Sequence, residues 1–365
     1  MRRRLVILAG IVSLLLCGCS YLDGSYLSIS PHQGQNSGVQ TRDRIASNYL
    51  ELRTVLEDMV NSGTENAVIN VTNYRQDLVK EGVANAVMYI LERYPLGAYA
   101  VDEISYEIGT GAGQPAVSVN ISYIHGRSEI RKIEEVRTMS EVRQRVTNAL
   151  DNCSDSVVLW VKMFKESDLL QVVEDYMEEN PNIVMELPQV AVGVYPDTGN
   201  SRILEVKFTY ETSRDSLRQM QQQVRRVFAS AQLYISSDAT SEQKYAQLYT
   251  FLMERFDYQV QTSITPAYSL LNHGVGDCEA FATVYAAMCR QAGLDCHMVS
   301  GTKHGQSWYW NIIREDDVNY HVDLLQCYEN GQFQRLQDSA MEGYVWDYSV
   351  YPLADVDETQ PEPTE

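Results

Sequence analysis

Positive charge is what this chain has least of. Its 29 Lys and Arg stand against 49 Asp and Glu, a formal net charge of −20 over 365 residues. A nucleic-acid site needs clustered cations to displace counterions from phosphates, so no nucleic-acid partner is expected and the acidic excess reads as a solvated surface. Histidine is sparse, six in all, and no Cys/His run has the spacing that closes a zinc site. No metal and no other cofactor is expected. The middle of the chain also lacks a Gly-rich phosphate loop and paired histidines.

What is present begins at the N-terminus. Arg2, Arg3 and Arg4 precede the apolar run Leu5 to Leu16, which is too short for a comfortable membrane span and has the form of a signal peptide. The run closes on Leu16-Cys17-Gly18-Cys19-Ser20, which resembles a lipobox. That implies cleavage ahead of Cys19, a lipid on its thiol, and an exported protein held to the cell membrane facing outside the cytoplasm. A plain secretory signal and an uncleaved anchor are the competing readings. Residues 20–40, rich in Ser, Gly, Gln and Asn, read as a flexible tether, and the acidic, proline-bearing segment 354–365 as a disordered tail.

Five cysteines remain beyond the signal: Cys153, Cys278, Cys289, Cys296 and Cys327. Their odd number and irregular spacing give no disulfide framework. Buried free thiols are expected, with Cys296 and Cys327 the pair to test.

Residues 41–132 and 133–222 repeat one pattern at a period of about 90 residues, the kind of internal repeat to settle before any fold assignment. In the first, Ile45, Leu52, Leu56 and Met59 mark a helix, Val68 to Val71 a strand, and Leu78 to Leu91 a second helix ending at Tyr94-Pro95. Val101 to Ile108 and Val117 to Tyr123 then form a hairpin around a Gly-rich turn. In the second, Val142, Val146 and Leu150 mark the helix, Val157 to Met163 the strand, and a helix from Ser167 ends at Asn180-Pro181. Its hairpin turns at Pro196 to Asn200. Glu51 answers Glu141, and Tyr123 answers Tyr210. Each region is expected to be a small α+β module with helices on one face of a three-stranded sheet, serving as spacer, scaffold or binding surface.

Residues 223–353 carry the chemistry. Two helices, 215–232 and 241–255, the latter opened by Ser241 as N-cap, lead to Gly274-Val275-Gly276-Asp277-Cys278. Phe281, Val284, Tyr285 and Met288 then mark the buried face of a helix that Gly293 ends. Cys278 thus opens a helix, where the dipole and free N–H groups favour a thiolate and can hold an oxyanion. Three strands follow, Cys296 to Gly301, Ser307 to Ile313 and Val318 to Leu325.

With Cys278 opening a helix, Asp323 in Tyr320-His321-Val322-Asp323, the pair Trp310-Asn311, and the closing Trp346-Asp347 and Tyr351-Pro352, residues 235–352 resemble the transglutaminase-like superfamily. The resemblance implies an α+β, papain-like cysteine domain after the two tandem α+β repeat modules. It also implies Cys278 as nucleophile and Asp323 as the acid that orients a histidine, in protease, amidase or transglutaminase chemistry.

The family places that histidine two residues before Trp-Asn, where this chain has Trp308. Indole cannot shuttle the proton that thiol acylation requires. His304, in the turn before the strand, is the first candidate substitute, with His321 and His273 behind it. Strand rise puts the His304 backbone about 13 Å and that of His321 about 7 Å from the places they would have to fill. Two readings follow: a degenerate domain that binds an extracellular peptide or cell-wall ligand, with Trp308 and Trp310 on one strand face and Tyr309 on the other, or an active thiol acyl-transfer enzyme with a relocated histidine.

Overall fold

The computed structural model describes residues 44–260 and 265–354. The expected signal peptide, Cys19 and the tether lie outside these described residues, as does the expected tail apart from Ala354. That residue is buried, its N–H donating to Asp338 Oδ1 at 3.2 Å.

The first α+β region opens with a short strand β1 (Arg44–Ile45) and helix α1 (Tyr49–Ser62). The helix starts where it does because Asn48 Oδ1 accepts the Glu51 N–H at 3.0 Å, while Glu51 reaches back to accept the Ser47 N–H at 2.7 Å. It ends on Gly63, whose φ of 60° belongs to the left-handed region. Strand β2 (Asn66–Asn70) and helix α2 (Val79–Glu92) follow. Proline does stop α2, but it also begins something: Pro95 sits at the first position of a further helix, α3 (Pro95–Ala100), where its missing N–H is no loss. The hairpin strands β3 (Val101–Gly111) and β4 (Gln114–Tyr123) run further than expected. Their turn is only Ala112 and Gly113, both at positive φ. The added ladder passes through Gly109, Gly111 and Pro115, which carry no alternating apolar signal.

The second region comprises β5 (Glu134–Val136), α4 (Met139–Asp151), β6 (Ser156–Val161), α5 (Leu169–Glu179), β7 (Gln189–Tyr195) and β8 (Arg202–Thr209), with no helix in the place of α3. Glu141 behaves as Glu51 does. Its carboxylate accepts the Arg137 N–H at 2.9 Å, while Thr138 caps its own N–H at 3.3 Å. Tyr123 and Tyr210 differ: the first lies 3.1 and 3.0 Å from the Met59 and Thr64 carbonyls, whereas the second buries its hydroxyl with no hydrogen-bond partner. Each sheet has four strands rather than three, in the orders β1-β2-β4-β3 and β5-β6-β8-β7. The added strands, β1 and β5, are too short to show a period of two. The two regions meet through Tyr94 on the edge of Trp160, centroids 5.9 Å apart, and the Tyr99 hydroxyl against the buried Glu205 carboxylate at 3.4 Å.

Helix α6 (Arg214–Tyr234) leads into the third region. Helix α7 (Ser241–Met253) is capped by Thr240 rather than Ser241, because Gln243 returns the bond to the Thr240 N–H and completes a capping box. After the two-residue parallel strands β9 (Asp257–Tyr258) and β10 (Val275–Gly276), helix α8 (Cys278–Gln291) is buried over most of its length. It packs on a sheet of order β13-β12-β11-β14, made from β11 (Cys296–Lys303), β12 (Gln306–Glu315), β13 (Val318–Val322) and β14 (Tyr344–Trp346). The third strand stops at Val322 rather than running to Leu325. Asp323 ends it by capping helix α9 (Leu324–Glu329). The far face of the sheet has its own core of Val299, Trp310, Ile312, Met341, Tyr344 and Trp346. Among the described residues no helix is long and apolar enough to cross a membrane.

Candidate active site

Cys278 stands at the first position of α8, held there by Asp277, whose carboxylate accepts the Ala280 N–H at 3.0 Å. The residue is 9% exposed. Burial pushes its pKa up, and the neighbouring Asp277 and Asp323 charges push the same way; the backbone N–H groups of Tyr309 and Glu279 pull against them without prevailing. Burial thus outweighs the pull of the helix terminus, and the net shift is upward.

Asp323 lines the same pocket as Cys278, together with Phe281, Tyr309, Asn311 and Leu325, and among the described residues no histidine lines it. The pocket leaves no room for a water-sized molecule. Asp323 is 3% exposed yet fully engaged. Its Oδ1 accepts the N–H groups of Leu325 and Gln326, both at 3.1 Å, as N-cap of α9. Its Oδ2 accepts Lys303 Nζ at 3.0 Å, the Tyr344 hydroxyl at 2.6 Å and the Trp308 indole N–H at 2.8 Å. Trp308 thus takes up the hydrogen bond through which an acid would orient an imidazole in a thiol triad. An indole N–H donates and does nothing else, so the proton path from the thiol ends there.

The other residues singled out in the sequence fall elsewhere. His304 occupies the β11–β12 turn at a φ of 51°, its N–H donating to the Gly343 carbonyl at 2.7 Å and its ring packed on that glycine. It does not line the pocket. His273 is exposed, in edge contact with Tyr268. His321 shares a strand end with Asp323 but points into the far core, fully buried. There its Nδ1 accepts the Trp310 indole N–H at 2.9 Å and its Nε2 meets Asp338 Oδ1 at 2.7 Å. This is the satisfied structural histidine that its place in the sequence allowed for. Strand alternation sends Trp310 into that core and Tyr309 toward α8, while Trp308, partly buried, lies at the boundary. Cys327 bonds through sulfur to Gln334 rather than to Cys296, and the five cysteines among the described residues are free thiols.

Sequence reasoning missed Lys303, Tyr344 and Tyr258. Lys303 lies over the Trp308 ring, 4.9 Å from its centroid, and Tyr258, 49% exposed, lies 6.5 Å from the same ring. Neither has a local signal. Lys303 is 20 residues from Asp323 along the chain and Tyr344 is 21.

A helix-opening cysteine, an acid beyond the third strand and a Trp-Asn pair between them form one constellation, and residues 229–346 match the model of the transglutaminase-like superfamily. This part of the chain is a transglutaminase-like domain. Among solved structures, a TGase is similar at 11% identity and a TM-score of 0.25, over 60% of this chain and 63% of that one, so the chain spans under two thirds of its length. A candidate cysteine protease from Cytophaga hutchinsonii is similar at 12% identity and a TM-score of 0.25, over 43% of this chain and 70% of that one. A candidate protease from Parabacteroides distasonis is similar at 8% identity and a TM-score of 0.23, over 70% and 39%. No curated protein matches the sequence.

Proposed function

We propose that this protein is exported and held to a membrane by a lipid on Cys19, and that its transglutaminase-like domain binds a peptide or cell-envelope ligand without performing acyl transfer. The observation that carries the second half is the Trp308 indole N–H on Asp323 Oδ2 at 2.8 Å. The acid is committed to a group that cannot exchange protons, and among the described residues no histidine lines the Cys278 pocket. A base is missing where acylation needs one. The export reading rests on the arginine, apolar and Cys19 pattern of the sequence.

Contact with a ligand falls to the rim, because the pocket itself is filled. Tyr258, Trp308 and the Lys303 ammonium offer two aromatic faces and a cation beside one another, a surface suited to extended peptides and to glycans. The two upstream modules, which we treat as tandem copies on their shared strand order, hold this surface away from the lipid anchor.

The deciding experiment is the pH dependence of iodoacetamide alkylation at Cys278, followed by peptide mass spectrometry. In the unaltered protein the reaction is expected to be slow, with a midpoint above the free-thiol value of about 8.5. In Trp308→His, with an imidazole set beside Asp323, the midpoint is expected to fall and the rate near pH 7 to rise. A midpoint well below 8.5 in the unaltered protein, sensitive to His304→Ala, would establish the enzyme reading instead.

A further inference from the structure

The last turn of α8 and the start of β11 bring two cysteines together. Cys289 sits two residues before the end of the helix, and Cys296 opens the strand; the connection turns through Gly293 at a φ of 74°. The turn is closed by two hydrogen bonds. The Leu294 N–H donates to the Cys289 carbonyl at 2.9 Å, and Arg290 Nη1 reaches the Cys296 carbonyl at 3.3 Å. Both side chains are fully buried in the same core. Tyr285 lies one helical turn before Cys289, with its hydroxyl on the Tyr245 carbonyl at 3.0 Å, and Tyr245 in turn donates to the Asp295 carbonyl at 2.6 Å. These tyrosines belong to the same core as the two buried thiols, which stand at the two ends of this tight turn.

We infer that Cys289 and Cys296 are a disulfide-forming pair, oxidised during folding by a disulfide-bearing oxidant such as oxidised glutathione or a thiol oxidoreductase. One thiolate attacks the oxidant's S–S bond, forming a mixed disulfide and releasing one thiol. The second then displaces the remaining oxidant thiol and closes the Cys289–Cys296 bond. Two protons and two electrons leave the protein, and the oxidant becomes two thiols. Timing follows from burial: neither sulfur is accessible once α8 has packed on the sheet, so the reduced folded protein resists oxidation, whereas the unfolded chain, with a short loop to close, accepts it readily. The bridge would pin the C-terminal end of the Cys278 helix to the sheet it rests on. It does not depend on what Cys278 does, and its failure would leave that reading untouched.

The test uses the full chain with Cys17→Ser and Cys19→Ser, which leaves the five free cysteines of the folded part. The protein is unfolded in urea, refolded in a mixture of reduced and oxidised glutathione, alkylated under denaturing conditions and mapped by mass spectrometry. Three alkylated cysteines and a cross-linked peptide pair containing Cys289 and Cys296 are expected, with the bridge absent from Cys289→Ala refolded in the same way. The same oxidant applied to already folded, reduced protein should leave five alkylatable thiols over the same period. Five thiols after oxidative refolding to a native circular dichroism spectrum, or a bridge from Cys296 to Cys327, would overturn the assignment. Mapping of the protein with Cys289 intact decides the matter even where Cys289→Ala does not fold.

Discussion

Replacing Asp323 by Asn isolates what that carboxylate does in the present fold. Asparagine keeps the size and can still cap α9 through its carbonyl oxygen, but its amide group then faces Lys303, the Trp308 indole and the Tyr344 hydroxyl, all of them donors to Oδ2. Turning the amide over loses the cap instead. Either way the Lys303 ammonium, on a side chain only 16% exposed, is stranded. Removing one partner of a buried ion pair costs about 3–5 kcal/mol; the partial exposure of Lys303 puts this case at the lower end, about 3 kcal/mol. At roughly 2–4 °C per kcal/mol for a chain of this size, the melting temperature should fall by about 6–12 °C. Thermal unfolding monitored by circular dichroism, supported by urea titration, measures this. Adding Lys303→Met to Asp323→Asn removes the stranded charge and should restore part of the loss, a coupling that a double-mutant cycle reads directly. A loss for Asp323→Asn below about 1 kcal/mol, within the range of an ordinary surface change, would refute the view of Asp323 as a structural junction.

Three further outcomes follow from the same structure. Glu178 on α5 and Glu279 on α8 both have raised carboxyl pKa values, chiefly through burial, with Asp175, Glu174 and Glu179 adding to the first and Asp277 and Glu178 to the second. A raised folded-state value means that the charged form is penalised by folding, so the cost is present at neutral pH and relieved as pH falls toward the ordinary glutamate value of about 4.3. Glu279→Gln should therefore raise the melting temperature more at pH 7 than at pH 5, and an equal shift at both would contradict the assignment. In Gly301→Ala the new methyl would collide with the Val345 carbonyl and the Trp310 indole; a loss of about 1–3 kcal/mol in urea titration is expected, and a neutral result would mean that β14 can move aside. Tyr258→Ala should leave stability within about 0.5 kcal/mol while weakening any peptide or glycan found by titration calorimetry, and an unchanged affinity would remove Tyr258 from the ligand surface.

The start of the Cys278 helix was legible because three local signals coincide: a Gly-punctuated turn, an acid immediately before the helix and an apolar stripe after it. The end of β13 was not. His321 and Asp323 obey a period of two, which cannot show that the strand stops between them and that the acid turns to cap the next helix. The wrong hydroxyl was chosen at Thr240 and Ser241 for a similar reason, since the choice rests on which one Gln243 reaches back to. Strands β1 and β5 were invisible because two or three residues make no pattern, and Lys303 and Tyr344 because their meeting with Asp323 is made by the sheet. Cysteine spacing alone made Cys296 and Cys327 the pair to test beside the expected free thiols; in the fold Cys327 is satisfied by Gln334, and Cys296 shares its core with Cys289.

Five donors converge on one carboxylate in the lining of the Cys278 pocket. A residue with so many obligations is kept by the demands of folding whether or not a reaction still needs it. An indole meets those obligations as an imidazole would, because both rings can point an N–H at the same oxygen. The acid is therefore a poor witness to catalysis. In a domain of this kind the informative position is the one with no second duty, and here that position is Trp308's, where an indole makes the hydrogen bond to the acid.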